Sequence, residues 1–191
     1  MKAFFLTTRH LTRKLTNKLY TFYYLIKYCF SISSSEGVLI YKGFKLINFS
    51  NKTKSLNVML KKNSRIKFNV IIQGTGTFIL GENSYLSHGT IIGVNDKIII
   101  GDNVMIAANV SMRDTNHNFS DKNISMINQG LISKPIYIQD NVWIGHGAVI
   151  TNGVTLKTGA IVAANAVVTK DVPVNAIVGG VPAKVLKYRY D

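Results

Sequence analysis

Aliphatic residues recur at every sixth position through the second half of the chain. Stepping from Ile138 gives Ile144, Ile150, Leu156, Val162, Val168 and Val174. Four residues after each rung stands a small or β-branched apolar residue: Val142, Ala148, Val154, Ala160, Ala166, Val172 and Val178. A helix requires a period near 3.6 and a half-buried strand strict alternation, so neither explains a period of six. The pattern predicts a chain that turns a corner every six residues and points one large side chain inward from each flat face. Three hexads then make one coil of a triangular prism. Stacked coils pair their backbones and bury a continuous ladder of aliphatic residues, each coil covering its neighbour.

The ladder continues upstream. Ile100, Ile106 and Met112 form one coil, and Leu80, Leu86 and Ile92 the coil before it. The step from Ile92 to Ile100 is eight, which predicts an enlarged corner around Asn95 and Asp96. Leu60, Ile66 and Ile72 keep the step, with Gly74 and Gly76 loosening the next turn, and before about residue 36 the pattern is absent. After Met112 the next rung is Ile138, a step of 26, so about 20 residues are extruded from the prism. At the start of the chain Leu11, Leu15, Leu19 and Phe22 recur at helical spacing, with Arg9, Arg13, Lys14 and Lys18 largely between them. An amphipathic helix follows. Its apolar face is expected to pack on the end of the prism and cap the open coil edge, which solenoids require. With its aromatic tail of Tyr20, Phe22, Tyr23 and Tyr24, the same helix also suits an anionic membrane surface. Ala183 to Tyr188, after Pro182, reads as a short terminal helix that would put Lys184 and Lys187 on one face. The expected organisation is thus a basic amphipathic segment over 1–35, an all-β solenoid over 36–180 with a loop at 113–137, and a helix or tail over 181–191.

Composition narrows the class. The 191 residues, 47% of them apolar, suffice for one sizeable core, and the 17% of charged residues does not describe a disordered chain or a coiled coil. The single cysteine, Cys29, excludes an internal disulfide framework and suits a reducing compartment. No run of about 20 apolar residues is present, and the start does not read as a signal peptide. A cytoplasmic protein, with contact to the inner membrane surface as an option, is expected. The net charge is +14, but residues 1–67 hold 14 of the 23 bases and one of the nine acids. The basic character therefore belongs to the N-terminal third. No zinc-finger spacing or RNA-binding signature accompanies it, so nucleic acid is not expected as a partner.

The extruded segment carries the candidate chemistry. It begins Arg113, Asp114, Thr115, Asn116, His117, Asn118. A neutral imidazole has the proton affinity needed to activate a hydroxyl near pH 7, and Asp114 or Asn116 stands close enough in sequence to hold its other ring nitrogen. From loop position alone, a histidine in such a polar loop reads more readily as solvated decoration. Gly145 and Gly147 flank a prism corner, where exposed backbone amides could meet a peptide-like ligand or where glycine merely makes the turn. Trp143, the only tryptophan, either shapes the cleft near His117 or anchors the long loop.

The hexads Ile100 to Met105 and Ile144 to Val149 resemble those of the hexapeptide-repeat acyltransferases. The runs DTNHN at Asp114 to Asn118, LISKPI at Leu131 to Ile136, IQDNVWIG at Ile138 to Gly145, VVTKDVP at Val167 to Pro173 and GGVPAKVLK at Gly179 to Lys187 are similar to the branch that O-acetylates sugars and polysaccharides. The resemblance covers about residues 80 to 189. It implies a left-handed parallel β-helix, a homotrimer, acetyl coenzyme A as acyl donor, and His117 as catalytic base. It further implies that the coenzyme lies in the groove between adjacent prisms, against the backbone of His146 and against Ala164, Thr169, Lys170, Lys184 and Lys187, with the lysines near its phosphates. Relatives in that branch carry asparagines in the coil before the loop; here His88 and Gly89 stand there, which makes His88 the candidate acceptor contact.

The expected activity is acetyl transfer to a hydroxyl of a sugar or surface polysaccharide without a covalent enzyme intermediate. N-acetylation of a nucleotide-linked amino sugar would use the same donor groove. A zinc-dependent carbonic anhydrase also uses this prism but needs two nearby histidines in one loop. His88, His117 and His146 are each 29 apart, so no metal is expected. A purely structural role predicts no thioester turnover.

Overall fold

The structure, a computed structural model, describes residues 2–49 and 54–190. The side chains of Arg9, Leu11, Arg13 and Lys14, named above, lie outside the described residues. An N-terminal helix, α1 (Lys2–Lys27), leads into a stack of short strands. The first coil is β1 (Ile32–Ser34), β2 (Leu39–Ile40) and β3 (Lys45–Asn48), and the second is β4 (Asn57–Leu60), β5 (Arg65–Ile66) and β6 (Ile71–Gly74). The third is β7 (Thr77–Leu80), β8 (Tyr85–Leu86) and β9 (Ile91–Val94), and the fourth is β10 (Lys97–Ile100), β11 (Met105–Ile106) and β12 (Ser111–Arg113). A hairpin, β13 (Thr115–His117) and β14 (Leu131–Ser133), is extruded next. The fifth coil is β15 (Ile136–Ile138), β16 (Trp143–Ile144) and β17 (Val149–Ile150), and the sixth is β18 (Thr155–Leu156), β19 (Ile161–Val162) and β20 (Val167–Val168). The chain ends in β21 (Ala176–Gly180) and β22 (Ala183–Tyr188).

Strands at equivalent places in successive coils pair in parallel, which builds three flat faces. Face one is β1-β4-β7-β10-β15-β18, face two begins β2-β5-β8-β11-β16-β19-β21, and face three is β3-β6-β9-β12-β17-β20. The period of six is therefore the length of one face plus its corner. Every rung from Leu60 to Val168 is buried, and so are the small residues from Val142 to Val178. Val174 is the exception: it keeps the spacing but is 49% exposed, because the last turn departs from the prism and Ala176 and Val178 point inward instead. Corners need a left-handed backbone, which Asn and Gly adopt at least cost. Asn63, Asn83, Asn103 and Asn141 hold φ between 56° and 57°.

The solenoid begins at Ile32, earlier than the residue 36 expected. Stepping back by six from Ile40 lands on Ser34, which faces solvent, while Ile32 fills the interior and pairs with Val58. The helix caps the first coil, but not with the expected face. Ile40 N–H donates to the Thr21 hydroxyl (2.8 Å), Gly43 N–H to the Tyr24 hydroxyl (3.0 Å) and Leu46 N–H to the Tyr28 hydroxyl (3.4 Å). Amides on the open edge of a sheet must find such partners or attract another strand. Asn17, Thr21 and Tyr24 are buried there, and Leu15, Leu19 and Phe22 point to solvent.

The expected C-terminal helix is instead strand β22, antiparallel to β21. Six residues are too few to hold a helix by themselves, whereas the open edge of face two offers a ladder to pair with. Lys184 pairs with Gly179 and Lys187 with Ile177, and the shift between these pairs returns both lysines to one side of the ribbon. They share a face by a bulge and not by helical spacing. Among the described residues no helix is long and apolar enough to cross a membrane.

Candidate active site

The hairpin leaves the prism at the corner between faces three and one. Its base is held by Asp114, whose buried carboxylate accepts the N–H groups of Asn95 (2.9 Å) and Asp96 (2.8 Å) and the Thr115 hydroxyl (2.7 Å). The enlarged corner at Asn95 and Asp96 thus presents the amides that this carboxylate receives. Lys134 N–H donates to the Asp114 carbonyl (2.8 Å), and Thr115 and Ser133 hydroxyls meet at 2.8 Å across the stalk. Asn116 Nδ2 donates to Asn152 Oδ1 (3.1 Å) in the next coil. The tip, including a short 3-10 turn at Met126–Asn128, is knit by Gln129, which bonds the backbone of Asp121 and Ile124. The extruded segment is therefore a braced arm.

His117 stands opposite Leu131 on this arm and is exposed. Its ring has no hydrogen-bond partner among the described residues. Neither expected orienting residue hydrogen-bonds it: Asp114 is spent on the corner, and Asn116, which lines the same cleft, gives its side-chain amide to Asn152. The imidazole forms one wall of a cleft of about 350 Å³. Gln73, Gly93 and Arg113, which pair across three coils of face three, make the floor. A side chain at Gly93 would come within 3.1 Å of the Arg113 guanidinium, so glycine there lets the arginine lie flat. Asn95 and Thr115 stand at the corner, and Phe49 closes the end nearest the first coil. Among the described residues no carboxylate lines the cleft. Sequence inspection missed these floor residues, yet Gln73, Gly93 and Arg113 are spaced by 20, the length of one coil.

The other expected site residues fall into separate groups. Thr169, Lys170 and Lys184 come together with Pro182 and Val185 around a cleft of about 330 Å³, at the same corner as the arm but two coils further on. Two strand spacings amount to about 10 Å along the prism. Lys187 is not part of that cleft. His88, His146 and Ala164 lie on the other side of face three, at its corner with face two, where Asn109 N–H bonds the His88 carbonyl and Asn165 N–H the His146 carbonyl. His88 stacks on Phe68 with ring centroids 5.3 Å apart, away from the His117 cleft. On the same edge, Lys67 covers the Tyr85 ring at 4.1 Å, and partial burial followed by the charge of Arg65 lowers its ammonium pKa.

Two expectations at this corner are corrected. Gly145 and Gly147 do not offer free amides: they donate to the Val162 and Ala108 carbonyls at 2.8 and 3.0 Å. Gly145 is buried, and a Cβ there would stand 2.6 Å from Ala164 N, so it serves the close approach of coils. Trp143 projects from face two, in register with Met105 and Ile161, and does not line the His117 cleft of its own chain. Among the described residues no group of three His, Cys, Asp or Glu side chains is gathered as for a metal ion.

Comparison with known proteins agrees with this architecture. A family model described as bacterial transferase hexapeptide (six repeats) matches residues 135–170. The chain is 38% identical over 108 residues to a galactoside O-acetyltransferase of Escherichia coli, an alignment covering 56% of this chain and 52% of that protein. It spans about half the length of the curated relatives it matches first. A hexapeptide-repeat acetyltransferase of Vibrio cholerae, solved in complex with acetyl coenzyme A, superposes with a TM-score of 0.62 at 30% identity over 70% of this chain and 72% of that one. An N-acyltransferase of Bacillus cereus, solved with dTDP-4-amino-4,6-dideoxyglucose and coenzyme A, shares the fold at TM-score 0.66 and 21% identity, covering 84% of each chain.

Proposed function

The chain belongs to the hexapeptide-repeat acyltransferases and carries their left-handed parallel β-helix, and from that premise we propose that it transfers an acetyl group from acetyl coenzyme A to a hydroxyl of a sugar or surface polysaccharide. The observation that carries this reading is the unbonded imidazole of His117, held on a braced arm as one wall of a cleft lined with amides, a hydroxyl, a guanidinium and an aromatic ring. Side-chain amides pair with sugar hydroxyls, and the Phe49 ring suits the apolar face of a pyranose.

His117 takes the proton of the acceptor hydroxyl as its oxygen attacks the thioester carbonyl. The tetrahedral adduct collapses, the C–S bond breaks, and the imidazolium returns the proton to the leaving thiolate. An acetyl ester and free coenzyme A thiol result, with no covalent enzyme intermediate. Thr169, Lys170 and Lys184 suit the donor, since two ammonium groups beside a hydroxyl match a phosphate-bearing ligand. The donor cleft is then C-terminal to the arm and the acceptor cleft N-terminal to it, with His117 between them. Arg113 and the lack of a lining carboxylate among the described residues favour a hydroxyl over the ammonium group from which N-acetylation of an amino sugar would start. The exposed apolar side chains of the arm, among them Phe119, Met126 and Ile127, are in this reading covered by a neighbouring copy in a homotrimer.

His117→Ala is expected to lower release of free thiol from acetyl coenzyme A by about a hundredfold or more. The acceptor is found by mass spectrometry across free sugars, nucleotide sugars and polysaccharides. Near-normal turnover by the variant would remove His117 from its role, and transfer to amino groups alone would replace the hydroxyl reading.

A further inference from the structure

The solenoid uses only one side of its N-terminal helix. Asn17, Thr21 and Tyr24 are buried against the first coil, while Leu15, Leu19, Phe22 and Ile26 are 62%, 62%, 67% and 59% exposed. At 100° per residue these four lie within about 60° of one another and nearly opposite the buried seam. Their outward stripe continues into Phe30, which is fully exposed, and borders an apolar groove of about 510 Å³ lined by Phe22, Leu25, Val38 and Leu39 with Lys18 at its rim. A contiguous apolar surface of this kind marks an interaction site.

Two occupants fit its shape. The spacing 15, 19, 22, 26 is that of a coiled-coil seam, so a second copy of the helix would fit sterically. Charge argues against it. Residues 1–35 hold six Lys and Arg and no acid, so identical helices laid side by side would oppose cations with no carboxylate to offset them. A bilayer bearing anionic headgroups accepts both the apolar stripe and the flanking cations.

We propose that α1 is a membrane foot, lying in the interface of an anionic bilayer with Leu15, Leu19, Phe22 and Ile26 immersed and the solenoid standing on its other side. The acceptor cleft runs from Phe49 in the first coil to Arg113 in the fourth, a rise of about 14 Å over three strand spacings. With a helix about 10 Å thick beneath it, the whole cleft lies within about 25 Å of the surface. This inference does not depend on the acetyl-transfer reading, because membrane binding is measured without turnover.

The full chain is floated with vesicles of phosphatidylcholine alone and of phosphatidylcholine with about one third phosphatidylglycerol, at low and at high salt. Capture by the anionic vesicles, little capture by the neutral ones, and release by salt are expected. Leu19→Glu with Phe22→Glu is expected to weaken capture at least tenfold while leaving the unfolding temperature and the mass in light scattering unchanged, since both side chains are already in water. Lys18→Glu with Lys27→Glu, which spares the stripe, is expected to weaken it as well. Equal and weak capture by both vesicle types would overturn the proposal. So would undiminished capture of the stripe variant, or a fall in its oligomeric mass, which would make the stripe a seam between copies.

Discussion

Asp114 fixes where His117 can be. Its carboxylate neutralises two backbone amides that the enlarged corner turns inward, and removing it leaves buried donors unpaired at about 1–3 kcal/mol each. Asp114→Ala is therefore expected to lower the unfolding temperature by several degrees and to reduce turnover through the displaced arm, while Asp114→Asn, which keeps one acceptor, loses less. Thermal unfolding followed by circular dichroism separates the two. Arg113 makes a different prediction. Arg113→Gln is expected to raise KM about tenfold for an acidic sugar acceptor and to leave KM for a neutral one unchanged, a charged hydrogen bond contributing about 1.5 kcal/mol or more. A KM that is unchanged for both would exclude the guanidinium from acceptor binding. That the repeat breaks at a segment carrying His117 was legible in the sequence, whereas the role of base comes to His117 from the resemblance, since loop position alone reads as a solvated side chain. Its surroundings were not legible. Residues three apart on a strand fall on opposite sides, so the nearness of Asp114 in sequence does not become contact. Arg113, Gln73 and Gly93 are distant in sequence and meet only because coils stack.

Corners are the elements that the hexads make possible, and their chemistry was readable as Asn and Gly between apolar rungs. The coil-to-coil arrangement was not. At Gly147, with φ of 68°, an added Cβ would stand 2.3 Å from Oδ1 of Asn165 in the next coil. Glycine in one coil thus makes room for the asparagine of the next. Asn141, with φ of 57°, is expected to tolerate Gly, whereas Asn141→Val is expected to cost about 1–2 kcal/mol, read as a shift in the denaturant midpoint. An unchanged midpoint would mean that the corner relaxes out of the left-handed region. The two terminal elements were misread for one shared reason. Face two ends in unpaired backbone groups at both ends of the stack, and the local sequence does not announce them. At the C-terminal end that edge recruits Ala183 to Tyr188 as a strand. At the N-terminal end it recruits Thr21 and Tyr24 hydroxyls, with Tyr28 beside them on face three, and turns the leucine stripe away.

At the scale of the molecule, the residues that the resemblance assigns to the donor do not meet within one chain. Thr169, Lys170 and Lys184 share the corner that carries the His117 arm, while His146 and Ala164 occupy the far edge of face three. From Ala164 to Thr169 is five residues of extended chain, about 16 Å. A neighbouring prism packed against this one would bring its own second corner to the first chain's arm, and cyclic packing of three copies closes the arrangement with identical contacts. The consequence is testable by mixing two inactive chains. His117→Ala removes the base and leaves the second corner intact. Ala164→Trp fills the second corner and leaves the arm intact, and because Ala164 is exposed the prism beneath it is undisturbed. If the proposed homotrimer shares its sites in this way, about one interface in four in mixed trimers would receive its arm from the Ala164→Trp chain and its second corner from the His117→Ala chain. Refolding the two together is therefore expected to restore about a quarter of native thiol release, with light scattering reporting a three-chain mass. If each chain holds a complete site, every site in the mixture carries one lesion and the mixture stays as inactive as its parts.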